Sequence, residues 1–236
     1  MGKKLTSAII KTILLALTTS LMATAITQAH AVAFLVEPHP ADAMWVDPAY
    51  ITFSLENVTI HDTFTVVVWL NITSDDVFGW QVALKYDRDQ LKCTSASFTA
   101  APTSDFMKGH TTTVGGPTID TSYLGNGSVL AFESCLGTDY IPAPRNGSLI
   151  SMQFEVLKVP GTGETLTSIF DISTNYPTYT WVKNYDLVKI SITTFDGNYN
   201  VIPEFANISI LPIFMALTLI AVALIKKKAW KTSKPL

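Results

Sequence analysis

Four aromatic side chains with polar rims, Tyr176, Tyr179, Trp181 and Tyr185, fall within ten positions of one another. Rings of this kind stack on sugars or anchor protein contacts, so the segment is the candidate ligand contact. The competing assignment puts Tyr179 and Trp181 on the buried face of a strand and the other two in loops. Chemistry beyond stacking finds little footing. The chain has no Gly-x-Ser-x-Gly elbow, no His-Glu-x-x-His and no Walker phosphate loop. His30, His39, His61 and His110 are scattered. Asp75-Asp76 and Asp87-Arg88-Asp89 could offer oxygens to calcium, but they lack a dedicated loop spacing and suit Asx-capped turns better. Gly115-Gly116 and Gly161-Thr162-Gly163 read as turns. With 19 acids, some pair stands at glycosidase spacing by chance alone. No catalytic residue, metal ligand or cofactor is assigned.

The two cysteines, Cys93 and Cys135, both fall in the middle of the chain. If that part is exported, an oxidising setting favours a bridge between them. It would close roughly 43 residues and add about 3 to 4 kcal/mol in the chain-entropy picture. Two separate buried thiols are the alternative. Five Asn-x-Ser/Thr sequons begin at Asn57, Asn71, Asn126, Asn146 and Asn207. The first four are candidate glycosylation sites; Asn126-Gly127 and Asn146-Gly147 double as turn signals.

The elements that must hold these groups are strands. Ile51, Phe53 and Leu55 alternate on one face, as do Phe64, Val66, Val68 and Leu70, then Trp80, Val82, Leu84 and Tyr86, then Ile150, Met152, Phe154 and Val156, and later Val188, Ile190 and Ile192. Weaker runs cover 91–98, 129–135 and 166–172. Half-buried runs of period two, spaced by Gly, Pro, Asn and Asp, predict an all-β, antiparallel, jelly-roll-like sandwich of eight or nine strands.

Charge separates the ends from the middle. Between Glu37 and Glu204 lie all 19 acids and only eight bases, a net of −11, which excludes a nucleic-acid-binding middle. Lys3, Lys4 and Lys11 open the chain, an apolar run extends from about Ile9 to Ala25, and small residues stand at Ala23, Ala25, Ala29 and Ala31, the pattern of a secretory signal over 1–31. A retained N-terminal anchor is the alternative. An uncharged run over 208–225 would span about 27 Å as a helix, enough to cross a bilayer. The basic tail at 226–236 would then stay cytoplasmic. The expected order is signal peptide 1–31, extracellular domain 32–201, juxtamembrane segment 202–207, one transmembrane helix and the tail.

Within the domain, the stretch from Val58 to Phe98 resembles the opening half of a cohesin-type module, on Gly79, Gln81, Tyr86, Asp87 and Leu91. The stretch from Asn146 to Thr165 resembles a strand and small-residue turn of its second half, and related carbohydrate-binding modules share the pattern. The resemblance implies a non-catalytic β-sandwich that binds a partner, dockerin-like in cellulosomal relatives. Pro203-Glu204-Phe205, followed by the apolar run and basic tail, resembles the C-terminal sorting signals of archaeal surface proteins. That likeness implies cleavage by an archaeosortase-like membrane enzyme, although Ala206 stands where many such signals carry a second proline. A plain single-pass anchor is the alternative. The functional expectation is a membrane-anchored, extracellular, cohesin-like module for protein binding or adhesion, with a cell-surface polysaccharide-binding module as the second reading and a small hydrolase a distant third.

Overall fold

The computed structural model describes residues 40–120, 126–174 and 179–203. They form thirteen strands: β1 (Ala43–Asp47), β2 (Tyr50–Ser54), β3 (Thr63–Ile72), β4 (Gly79–Tyr86), β5 (Leu91–Phe98), β6 (Thr112–Asp120), β7 (Gly127–Cys135), β8 (Arg145–Val156), β9 (Leu166–Ile172), β10 (Trp181–Lys183), β11 (Lys189–Ile190), β12 (Thr193–Phe195) and β13 (Gly197–Ile202). Among the described residues no helix is long and apolar enough to cross a membrane; the signal segment, Glu204, Phe205 and the 208–225 run lie outside those residues.

Two sheets pack face to face. The first has the order β12-β1-β3-β8-β5. The second runs β11-β10-β4-β9-β13-β2, with β7 on the other side of β4 and β6 beyond it. β9 and β10 pair with opposite ends of β4, β9 at Leu84 and Lys85 and β10 at Gly79 to Gln81. The pairing is not wholly antiparallel, because β1 runs parallel to β12 and β2 parallel to β13. The expected sandwich is therefore present, with more and shorter strands than the eight or nine expected.

Alternation explains the inner faces. Val66, Val68, Leu70 and Ile72 of β3 meet Trp80, Val82, Leu84 and Tyr86 of β4 in one continuous core. Its densest part is aromatic: Phe154 lies 4.9 Å from Phe170, 5.0 Å from Tyr86 and 5.8 Å from Phe64, and Phe64 stacks on Tyr199 at 5.3 Å. Each ring buried this way contributes about 1.5 to 3 kcal/mol, and the ring pairs add to that.

The end of the sandwich near Gly79 is closed by the segment 99–111, which drives Phe106 and Met107 to full burial. Arg145 ties it down by donating from Nε to Phe106 O at 3.0 Å and from Nη2 to Asp105 O at 3.2 Å. At the opposite end Gly127 lets the Tyr86 ring lie against β7; a methyl group there would overlap Tyr86 Cζ and its hydroxyl.

Two turn assignments are corrected: Asn146-Gly147 lies inside β8, paired with Asn71 and Leu70 of β3, and the second is a glycine pair. Gly115 and Gly116 lie inside β6, at an irregularity between Gly115 and Thr118. Gly116 has φ of +84°, a conformation that costs glycine nothing, so the pair shapes a bulged edge strand instead of ending one.

Candidate functional site

The outer face of the β10-β4-β7-β6 layer is built by simple register. Trp181 pairs with Gln81, Gln81 with Phe132 and Phe132 with Gly115, giving one row across four strands. The next row toward the 99–111 segment reads Lys183, Gly79, Ser134 and Thr113. Trp181 is half-buried and Phe132 exposed. The Phe132 ring lies across Gly115, where any Cβ would overlap it, so the missing side chain on β6 makes a seat for the ring. Lys183 Nζ stands 5.0 Å from the Trp181 ring centroid, a cation–π contact that occupies one face of the indole. Gln81 donates from Nε2 to Tyr179 O at 2.7 Å and so fixes the chain just before β10.

The four aromatic residues singled out from sequence are thus divided. Tyr179 and Trp181 belong to this face, with Tyr179 exposed instead of buried. Trp181 points away from the core, and its neighbour Val182 is the buried residue of β10. Tyr185 sits in the turn between β10 and β11, edge-on to Phe78 at 5.8 Å and 86° and to Tyr140 at 6.3 Å and 69°. Tyr176 lies outside the described residues. Phe132 was missed, yet a signal existed: it alternates with Ala131 and Glu133 and must face opposite to them.

The cysteine bridge is corrected. Cys93 and Cys135 are separate, buried thiols. Cys93 interacts with Tyr86 at one end of β4, whereas Cys135 follows Ser134, the partner of Gly79 at the other end. Seven residue steps of strand separate those ends, about 23 Å, while a disulfide needs Cα atoms within about 7 Å. Burial pushes both thiols up to about 11.

The acidic pairs serve the backbone. Asp75 Oδ1 accepts the Asp76 N–H at 2.9 Å, Asp87 Oδ1 accepts the Asp89 N–H at 2.9 Å, and Asp76 Oδ1 accepts the Ala143 N–H at 2.9 Å. Among the described residues no three His, Cys, Asp or Glu side chains come together to hold a metal. An open cleft of about 440 Å³ lies beside β9, lined by Lys85, Asp87, Asn126, Ser168, Asp171 and Asp196 among others. Burial, and secondarily the charge of Asp171, raises the Asp196 carboxyl, which accepts the Ile172 N–H at 2.9 Å and so serves the fold. Of the sequon asparagines, Asn57, Asn126 and Asn146 are exposed and Asn71 half-buried. Pro203 directly follows β13.

No protein-family model matches the chain, and no curated protein matches it. Among solved structures it is similar to a cohesin in a type I cohesin–dockerin complex from Clostridium thermocellum, at 12% identity and TM-score 0.45, covering 71% of this chain and 99% of that one. It is similar to a non-cellulosomal cohesin of the archaeon Archaeoglobus fulgidus, at 9% identity and TM-score 0.43, covering 69% and 92%. A type II cohesin domain from the cellulosome of Acetivibrio cellulolyticus gives 17% identity, TM-score 0.43, and 68% and 95% coverage. These likenesses concern the sandwich architecture and assign no ligand.

Proposed function

We propose that the chain is an exported, membrane-tethered, non-catalytic module of cohesin-like type that docks a protein partner on the outer face of the β10-β4-β7-β6 layer. The observation that carries this is the row Trp181, Gln81, Phe132, a broad and shallow strip with aromatic anchors flanked by Lys183. A protein interface wants this combination of aromatic anchors and a polar rim. A sugar platform wants a free, flat indole face, and here Lys183 lies over the ring. The Tyr185, Phe78 and Tyr140 rings stand steeply tilted to one another, which also disfavours a flat sugar platform. The partner class is a dockerin-like surface protein; a surface polysaccharide is the second reading.

Titration of the full chain with dockerin-type modules, and separately with soluble polysaccharides, tests the choice. The expected result is protein binding that weakens by about 2 kcal/mol or more in Trp181→Ala or Phe132→Ala, with little change in melting temperature. Polysaccharide binding alone would move the assignment to the second reading.

The tether rests on sequence: the 208–225 apolar run and the lysines after it. Pro203-Glu204-Phe205 adds an archaeosortase-like processing enzyme as a partner. Intact mass of the mature protein decides between the two anchors, since processing removes the tail from Lys226 to Leu236 and a plain anchor keeps it.

A further inference from the structure

On the outer face of the five-stranded sheet, two sequon asparagines are direct cross-strand neighbours. β3 and β8 pair Asn71 with Asn146, which brings their Cβ atoms to about 5 Å. Trp69 precedes Asn71 by two positions and shares its face. The Trp69 ring stacks on Trp45 at 6.2 Å and 12°, and Trp45 is paired in turn with the exposed Phe195 of β12. Trp45 itself is buried, so the rings of this row that reach the surface are the half-buried Trp69 and the exposed Phe195, with Trp69 one step along the strand from Asn71. Asn57 and Asn126 differ, since Leu55 and Leu124 occupy the position two before them.

A sugar attached to Asn71 starts about 7 Å along the strand from the Trp69 Cβ, within reach of the indole. The C–H face of a pyranose is apolar and packs on an aromatic ring as other apolar groups do. No sequon asparagine lies within β4, β6, β7 or β10, and Asn126, directly before β7, stands six residues from Phe132, so sugars would gather away from the row of Trp181, Gln81 and Phe132.

We propose that Asn71 and Asn146 form a paired N-glycosylation site whose first sugar residues pack on Trp69, making this sheet face a glycan-covered side of the domain. The inference rests on the chain being exported, so the test imposes export. The full chain is produced behind the leader of a secretory host that glycosylates Asn-x-Ser/Thr. Glycopeptide mass spectrometry should find sugar at Asn71 or Asn146 on most molecules. The variant Thr73→Ala with Ser148→Ala, which removes both sequons and keeps both asparagines, should melt about 2 to 4 °C lower. The same two chains made without glycosylation should melt alike. With Trp69→Leu the glycan-dependent difference should vanish. Bare Asn71 and Asn146, whether or not Asn57 and Asn126 carry sugar, would overturn the proposal. So would a melting difference that survives Trp69→Leu or persists without glycosylation. The occupancy and the melting comparison on the Trp69 chain stand even if Trp69→Leu fails to fold.

Discussion

Glu133 Oε2 accepts the backbone N–H of Ser104 at 3.1 Å, and both residues are sealed from solvent. The other carboxyl oxygen accepts the Thr112 hydroxyl at 2.9 Å. This one side chain joins β7, the start of β6 and the segment 99–111 that closes the sandwich. Ser104 passes the connection on, its hydroxyl accepting the Met107 N–H at 3.1 Å. The docking row on the outer face and this polar anchor on the inner face alternate along the same strand, Phe132 facing out and Glu133 in.

Glu133→Ala should cost about 2 to 3 kcal/mol, because a buried N–H loses its acceptor. Glu133→Gln keeps one oxygen and should lose less. Urea denaturation measures both, and an unchanged midpoint for the alanine variant would refute the anchoring role.

The thiols set an alkaline limit. Cys93 and Cys135 are raised by burial from 9.0 to about 11. A thiol that is harder to ionise folded than unfolded stabilises the fold fully below the unfolded value, and that stability drains away as pH climbs from about 9 through 11. Stability curves should therefore fall across that window, and less steeply in a Cys93→Ala, Cys135→Ala double variant. Non-reduced, denatured protein should take up two alkyl groups by mass.

Much of the sandwich was legible because the strands are half-buried: Thr63–Ile72 and Leu166–Ile172 alternate as period two requires, whereas Leu91–Phe98 changes phase at an irregularity between Cys93 and Ser95. What stayed hidden had a different burial logic. β1 is buried on both faces at Ala43 to Val46 and shows no alternation. β6 carries a glycine pair at a bulge, and β13 presents Tyr199 and Val201 inward, alternating with two asparagines that look like turn residues. The tryptophan of the site was legible and Phe132 could have been. The cysteine pairing was not, since sequence spacing says nothing about which end of β4 each thiol occupies.

On the acid side, Asp139 is held below its ordinary value by the hydrogen bond from His110 Nδ1 at 2.9 Å and next by the Thr111 N–H at 2.9 Å. A carboxyl harder to protonate folded than unfolded adds stability above the unfolded value near 3.8, lost as pH falls through the depressed one. Acid denaturation should show Asp139→Asn with a weaker pH dependence below pH 4. An identical acid limb would mean that the contact with His110 contributes nothing.

Two glycines that each touch an aromatic ring should behave oppositely. At Gly127 an added methyl group meets the buried Tyr86 ring, which is wedged against Phe154 at 5.0 Å and has nowhere to go. Gly127→Ala should therefore cost about 1 to 3 kcal/mol or more through overpacking. At Gly115 the methyl group meets the far edge of Phe132, an exposed ring free to swing into solvent. Gly115→Ala should leave stability within about 1 kcal/mol of the parent and yet shift the Phe132 ring resonances, because the seat on β6 is filled. Urea melts and aromatic NMR spectra of the two variants separate the cases. A large stability loss at Gly115 would show that Phe132 is part of the packing, and the docking row would then shrink to Trp181 and Gln81.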